Sequence, residues 1–170
     1  EHHSNVDPGL LDLNLALQNK NIDLLNEMHA LTQRIDKLVE IFEEAAKNLE
    51  ALNTKRQKIT EVVISEAREQ LLLVSERKIL LASGANWPKG VVGLVAGKLT
   101  EEFGKPVLVM ERGETESTGS ARSVANFNIV EALKFSSEHL VKFGGHAAAA
   151  GFTVKTEHID VFYKNLLDFA

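Results

Sequence analysis

The 170-residue sequence contains no cysteine, so disulfide bonds and thiolate metal sites are excluded. Aromatic residues make up only 6% of the chain, with one tryptophan and one tyrosine. That is too few for the base-stacking platforms of OB-fold and RRM proteins. No apolar run reaches the roughly 18 residues that a membrane-spanning helix requires, and no segment has the apolar core of a signal peptide. These absences predict a soluble, cytoplasmic protein without a membrane partner.

An excess of basic charge is missing as well. The formal net charge is −5, which excludes a protein that coats nucleic acid through a broad basic surface. Between positions 85 and 155, eight lysines and arginines nearly balance seven acidic residues. Any phosphate binding in this region must therefore depend on local geometry rather than on bulk charge.

Residues 1–9 are expected to be a tag remnant or disordered, and not part of the fold. Glu1-His2-His3-Ser4 is typical of the remnant of a purification tag. The alternatives are a native terminus and a weak metal site at His2 and His3. Asp7-Pro8-Gly9 predicts a turn before the start of a helix.

The next stretch, residues 10–74, is predicted to be a helical extension followed by a connecting helix. Its apolar residues keep a heptad spacing for about four heptads, as in a coiled coil. They are Leu17, Leu24, Met28, Leu31, Ile35, Leu38, Phe42, Ala45, Leu49 and Leu52. Asn21 lies on this seam, where a buried asparagine favours two-stranded pairing, so a homodimer through one long helix is expected. The alternative is a helical hairpin that breaks near residues 18–21, because asparagine disfavours helix interiors.

Residues 75–170 predict an α/β domain, because short apolar runs alternate with helical patterns. Strands are expected at 78–84, 107–110, 116–124 and 152–154, and helices at 91–103, from Asn128 through Leu140, and at 157–169. Gly104 is expected just after the end of the first helix, and Asn128 is expected to cap the second. The last helix should have an apolar face formed by Ile159, Phe162, Leu166 and Phe169. The turn at 112–115 pairs the second and third strands as a hairpin, so the sheet should be mixed and flanked by helices.

Two segments combine small residues with one polar side chain that suits anion binding. The first is residues 143–152, Phe-Gly-Gly-His-Ala-Ala-Ala-Ala-Gly-Phe, in which Gly144-Gly145-His146 is expected to form a loop. Its two glycines would let another molecule approach His146. Residues 118–123, Thr-Gly-Ser-Ala-Arg-Ser, are expected to form a strand that carries Arg122. A guanidinium suits bidentate contacts to phosphate. The structural alternatives are an ion pair between Arg122 and a helix glutamate, and a core histidine bonded to a backbone carbonyl.

A third segment, residues 87–96, predicts a glycine-rich loop that opens a helix. The free N–H groups of a helix start favour anions. Trp87 is a candidate for stacking on a base, which contributes about 1–3 kcal/mol per base; core packing is the alternative. Lys89 and Gly90 are further candidate contacts to a base or to the backbone.

In this order, the three segments resemble the DHH-associated domain of RecJ-like single-strand-specific exonucleases, within the DHH phosphoesterase superfamily. The resemblance covers roughly residues 44–170, and residues 49–57 look like the family's connecting helix. The family usually has a histidine directly after the tryptophan of the third segment. Pro88 stands there in this sequence, so any contribution from that side chain is absent.

The resemblance implies a set of residues that bind a substrate phosphate. Arg122 would contact a phosphate of the bound strand, and His146 would face the active-site cleft and help to hold the phosphate. Two glycines would provide room beside them. The whole expected set is Ser120, Arg122, Ser123, Gly144, Gly145 and His146.

The resemblance also implies what this chain does not supply. The superfamily places the ligands for Mn²⁺ or Mg²⁺, including its Asp-His-His signature, in a separate N-terminal domain, and no Asp-His-His occurs in this sequence. We therefore expect no catalytic residue and no metal site in this chain, and no hydrolysis by the chain alone. It would bind single-stranded DNA or RNA for a 5′→3′ exonuclease, with the catalytic domain provided in cis or in trans.

Two alternative functions remain at this point. Oligoribonucleotide and cyclic-dinucleotide phosphodiesterases share this domain type, so a dinucleotide substrate is the first alternative. The second is an interaction protein whose heptad helix mediates oligomerisation while the α/β domain is vestigial.

Overall fold

The computed structural model describes residues 7–170. Its contacts divide the chain into two compact units, Glu1–Leu52 and Asn53–Ala170. One helix, α1 (Pro8–Leu72), contributes to both units. At the start of α1, the carboxylate of Asp7 accepts a hydrogen bond from the N–H of Gly9 at 3.0 Å. The predictions for residues 1–4, including His2 and His3, lie outside the described residues.

Helix α1 decides between the two arrangements that the heptad pattern leaves open. It continues without interruption through residues 18–21, so the structure has one long helix rather than a helical hairpin. Within the first unit, the apolar heptad residues are exposed, for example Leu24 at 49% and Phe42 at 71%. In a sequence with good helix formers, helical hydrogen bonding outweighs the modest cost of a few asparagines, which is below about 1 kcal/mol each.

The second unit contains a five-stranded sheet with helices on both faces. The predicted mixed sheet flanked by helices is confirmed, although the sequence predicts only four of its five strands. Its elements after α1 are β1 (Leu80–Gly84), α2 (Lys89–Phe103), β2 (Val107–Glu111), β3 (Glu116–Arg122), α3 (Ile129–Phe135), β4 (Leu140–His146), β5 (Ala149–Lys155) and α4 (Ile159–Phe169). The strand order is β1-β2-β3-β5-β4. Strands β1 and β2 are parallel, whereas the other neighbouring pairs are antiparallel, so the sheet is mixed.

Strand β2 shows how the sheet separates two apolar cores. Because successive side chains point to opposite faces, Val107 and Val109 pack with α2 and the end of α1, while Leu108 and Met110 pack with α3 and α4. All four are fully buried, as expected for a central strand covered on both faces. Helix α4 buries Phe162 and Leu166 in the second core, which confirms its predicted apolar face.

An ion pair joins the end of α1 to α2 within the second unit. The guanidinium of Arg68 donates to both carboxylate oxygens of Glu102, at 2.6 and 2.8 Å. Hydrogen bonding to Arg68 lowers the pKa of Glu102 below its usual value, and the same bond raises the pKa of Arg68.

Nowhere in residues 7–170 does a helix combine the length and the apolar character that crossing a membrane requires.

The sequence predictions hold for the caps and fail for β4. Gly104 ends α2 with a φ of 64°, and the side chain of Asn128 accepts hydrogen bonds from the first turn of α3. The helix predicted to run from Asn128 through Leu140 is wrong, because α3 ends at Phe135 and the chain re-enters the sheet at Leu140. The predicted loop at residues 144–146 is likewise strand, since its backbone pairs with β5.

Candidate phosphate-binding site

Three neighbouring strands, β3, β5 and β4, place nine residues on one face of the sheet. Paired residues on antiparallel strands share a face, and so do alternate residues along each strand. We call this surface the open floor. Its residues are Thr118, Ser120 and Arg122 of β3, Ala149, Gly151 and Thr153 of β5, and Lys142, Gly144 and His146 of β4. Helix α2 packs over β2 and β3 beside it, whereas Gly144, His146 and Gly151 are exposed.

The open floor brings Arg122 and His146 onto the same face. Both are register partners of Ala149, Arg122 on one side and His146 on the other. Their backbones are therefore two strand spacings apart, about 10 Å. Ala149 between them has only a methyl group, so a ligand between the two long side chains meets little steric bulk. The two segments that the sequence singles out thus meet at one end of this surface.

Arg122 is half-buried and oriented by its own strand. Its Nη1 donates to the hydroxyl of Ser120 at 2.8 Å and to the carbonyl of Ala121 at 3.0 Å. Within residues 7–170 the guanidinium forms no salt bridge with a carboxylate. Both of its hydrogen bonds engage Nη1, so the Nε–H and Nη2 donors are left for an oxyanion.

Helix α2 leaves space for this guanidinium through one glycine. A Cβ at Gly93 would lie 3.3 Å from Nη2 of Arg122 and 3.4 Å from the hydroxyl oxygen of Ser120. A side chain at this position would crowd the end of the arginine side chain. Ser120 therefore acts on the site mainly by holding Arg122, with its hydroxyl also 3.5 Å from the carbonyl of Ala150.

His146 ends β4 at the tip of the β4–β5 hairpin. Its ring is exposed and, in the described part of the chain, makes no side-chain hydrogen bond, unlike a core histidine. The two-residue turn after it is held in place by its carbonyls. Ala147 accepts from the N–H of Ile129 at 3.0 Å, and Ala148 accepts from the N–H of Ser123 at 2.9 Å. The hairpin thus presents the imidazole from an anchored backbone.

The two adjacent glycines of β4 differ in whether the surrounding structure leaves space for a side chain. Gly145 has a φ of 150°, and a Cβ there would run into the carbonyl oxygen of Ala149 and the Cα of Ala150. At Gly144, which faces the space above the open floor, no atom of residues 7–170 lies within 4 Å of a Cβ built on it. The fold requires glycine at 145 but not at 144.

Ser123 lies just beyond β3 and is not part of the open floor. Its hydroxyl donates to the carbonyl of Phe127 at 2.7 Å, and its N–H holds the hairpin turn. Because its only hydroxyl hydrogen is engaged, Ser123 cannot also donate to a phosphate in this arrangement. Its geometry favours a structural role.

Trp87 is 3% exposed, so its ring has no free face for a base. The ring fills the space that a side chain at Gly84 would need, and its Nε1–H donates to a carboxylate oxygen of Glu66 at 2.7 Å. This placement favours core packing, the alternative weighed for Trp87 from the sequence. The tryptophan joins the loop before α2 to α1.

Lys89 and Gly90 form the exposed first turn of α2. The ammonium of Lys89 lies 3.5 Å from the carboxylate of Glu111. Glu111 is the register partner of Thr118, which places this turn at the end of the sheet away from Arg122. The structure therefore does not bring Lys89 and Gly90 together with Arg122 and His146.

Lys142 belongs to the open floor but was missed in the sequence. It is exposed and lies on the same face as Gly144 and His146. The signal was present, because residues 142, 144 and 146 alternate as they would in a strand. The expected helix and loop hid this alternation.

In residues 7–170, histidine, aspartate and glutamate side chains form no group of three or more that could hold a metal ion. The described residues therefore offer no site for Mn²⁺ or Mg²⁺, whose ligands the superfamily resemblance assigns to a separate domain. No chemical step on this chain is assigned to a metal.

A family model and several known proteins match this chain. The family model described as "DHHA1 domain" matches residues 72–170. The single-stranded-DNA-specific exonuclease RecJ of Bacillus subtilis is 36% identical over 131 residues, covering 75% of this chain and 17% of that protein. RecJ of Thermus thermophilus is 32% identical over 106 residues, covering 62% of this chain and 15% of that protein.

Solved structures of RecJ are also similar to this chain. The crystal structure of Thermus thermophilus RecJ in complex with Mg²⁺ matches 72% of this chain with a TM-score of 0.64 and 29% identity. A crystal structure of exonuclease RecJ bound to manganese matches 72% of this chain with a TM-score of 0.63 and 29% identity. This chain spans only 19% and 30% of those two chains, so it corresponds to a part of such proteins.

Proposed function

The chain belongs to the DHHA1 domain family and carries the DHH-associated domain of a RecJ-like protein; from this premise we propose that its open floor binds single-stranded nucleic acid through the phosphate backbone. Arg122 and His146 hold one phosphate between them. The glycines of β4 and β5 let the nucleic-acid strand lie close to the sheet. Ser120 orients the guanidinium of Arg122.

The observation that carries this proposal is the state of Arg122. The guanidinium is half-buried and has no carboxylate partner among residues 7–170. Such an arrangement is costly, because burial weakens the hydration of the charge and no opposite charge compensates. The fold nevertheless holds it in place through Ser120 and leaves room for it at Gly93. An anionic ligand would supply the missing charge, and a phosphate matches the two-donor geometry of the free guanidinium edge.

In this proposal the chain contributes substrate binding to a 5′→3′ exonuclease reaction. The relatives named as single-stranded-DNA-specific exonucleases are far longer than the matched region. A domain with the metal ligands, in cis or in trans, would activate water with Mn²⁺ or Mg²⁺. Residues 53–170 would position the strand and keep its phosphate oriented, and the chain alone would not hydrolyse it.

The test measures the affinity of the 170-residue chain for a 5′-phosphorylated octathymidylate by fluorescence anisotropy at low salt. Arg122→Gln should weaken binding about 10- to 100-fold, because charge-assisted hydrogen bonds contribute about 1.5–3 kcal/mol. Arg122→Lys should fall between the unmodified chain and Arg122→Gln, since it keeps the charge and loses the bidentate geometry.

Arg112→Gln is the matched control, because Arg112 is exposed in the β2–β3 turn. Equal affinities for the unmodified chain and for Arg122→Gln would refute the proposal. Competition by a dinucleotide as strong as by the octamer would instead favour a dinucleotide phosphodiesterase.

We also propose that the heptad seam of α1 pairs with the same seam in a second copy of the chain. The seam residues of the first unit are exposed along an uninterrupted helix. Asn21 would then meet its counterpart in a parallel pair, which satisfies both amides and fixes the register. A parallel register explains an asparagine on an otherwise apolar seam.

A further inference from the structure

The open floor is larger than the phosphate site at Arg122 and His146. Its residues form three rows across the strands: Arg122, Ala149 and His146, then Ser120, Gly151 and Gly144, then Thr118, Thr153 and Lys142. The middle row has almost no side-chain bulk. Long basic side chains stand in the first and third rows, so the surface is a shallow trough between two positive rows.

The third row borders a depression in the surface. Its volume is about 230 Å³, and Phe143 and Phe152 contribute to its lining. The rest of the lining comes from the open floor: Thr118, Lys142, Gly144, Gly151 and Thr153. The hydroxyls of Thr118 and Thr153 lie 3.3 Å apart. Thr153 is buried and Thr118 is half-buried, so Thr118 is the residue that can offer a hydroxyl hydrogen to a ligand, when Thr153 donates to it. The depression therefore combines one ammonium group, a hydroxyl donor and two glycines, Gly144 and Gly151.

We propose that this depression is a second phosphate subsite, in which Lys142 binds a phosphate further along the same strand. The inference rests on the proposed function and extends it to Lys142, a residue outside the family motif. Rows one and three are four residues apart along β3, about 13 Å. A mononucleotide at Arg122 cannot reach across that distance, whereas successive phosphates of an oligonucleotide can.

Charge along the floor supports a polyanionic occupant. No acidic residue is among the nine, and Lys142 forms no salt bridge within the described ranges. The acidic residue next to the third row, Glu111, is paired with Lys89. Beyond that row, Glu116 is the register partner of Lys155 and lines a separate depression with Glu114 and Glu157. This acidic edge would repel further phosphates, so the track on the sheet ends near Lys142.

The test compares two probes on the 170-residue chain, thymidine 5′-monophosphate and 5′-phosphorylated octathymidylate, over a series of salt concentrations. Lys142→Gln should lower the affinity for the octamer several-fold at low salt. It should reduce the slope of log K against log salt by about 0.7, the value for one phosphate contact on a single strand. Affinity for the mononucleotide should stay unchanged.

Lys134→Gln is the control, because Lys134 is an exposed lysine on α3, which packs against the opposite face of the sheet. If Arg122→Gln weakens both probes but Lys142→Gln changes neither, the second subsite is wrong and the first stands. If Arg122→Gln changes nothing, or the unmodified chain binds no octamer at low salt, both proposals are overturned. An equal effect of Lys142→Gln and Lys134→Gln would reduce the subsite to general charge attraction.

Discussion

Two neighbouring glycines of β4 allow a sharp test, because the fold needs only one of them. Gly145→Ala places a Cβ against the Ala149 carbonyl and the Ala150 Cα, at a φ of 150°. Backbone strain of this kind costs about 1–3 kcal/mol before any overlap is counted. The Cβ of Gly144→Ala meets no atom of the described part of the chain within 4 Å. It should leave the free energy of unfolding unchanged or raise it by about 0.4–1 kcal/mol, because alanine restricts the unfolded chain.

Gly144→Ala should weaken nucleic-acid binding, although it should not lower the stability of the fold. A methyl group at 144 stands on the surface where the strand is proposed to lie, and it would lift the backbone away from Arg122 and His146. Loss of one charge-assisted contact, about 1.5–3 kcal/mol, weakens affinity about 10- to 100-fold. Gly144→Ala should therefore be as stable as the unmodified chain and bind poorly.

The assay pairs urea unfolding with octathymidylate anisotropy on both variants. Gly97→Ala is the control for a glycine-to-alanine change in open space, since a Cβ at Gly97 also has no neighbour within 4 Å. Full affinity of a stable Gly144→Ala variant would refute the claim that the nucleic-acid strand contacts the open floor at Gly144. A Gly145→Ala variant as stable as the unmodified chain would refute the structural reason given for Gly145.

Three further predictions concern residues outside the open floor. Glu102→Gln should lower stability at neutral pH by about 0.2–1 kcal/mol, typical of exposed ion pairs. Because Arg68 lowers the pKa of Glu102, that difference should vanish as pH falls through the lowered pKa, and a pH-independent difference would contradict the ion-pair explanation. Trp87→Phe should cost about 1.5–3 kcal/mol through the lost hydrogen bond to Glu66 and leave octamer affinity unchanged; reduced affinity at full stability would restore the base-stacking role. Leu24→Glu should abolish any concentration-dependent dimer in sedimentation equilibrium, and an unmodified chain that stays monomeric would refute the pairing of α1.

The sequence was sufficient for features that depend on local chemistry. Gly104 predicts the left-handed residue that ends α2, and Asn128 predicts the cap of α3; both are confirmed. The β2–β3 hairpin follows from two short runs around a turn. The family resemblance is also confirmed, because three separate segments keep the family's order.

What the sequence concealed depends on pairing between distant segments. Gly144 and Gly145 have low strand propensity, and only the hydrogen bonds to β5 make this stretch a strand. The place of Lys142 on the open floor depends on that same pairing. Trp87 shows a similar limit, since its burial is set by Glu66 and Gly84, which contribute from α1 and β1.

The most direct test of the phosphate-binding surface is a chemical-shift map of the isotope-labelled chain titrated with 5′-phosphorylated octathymidylate. The account predicts the largest shifts at the backbone amides of Gly144, His146 and Gly151 and at Nε–H of Arg122, with small shifts in α3 and α4. Shifts confined to the α3 and α4 face, or to the first unit, would contradict it.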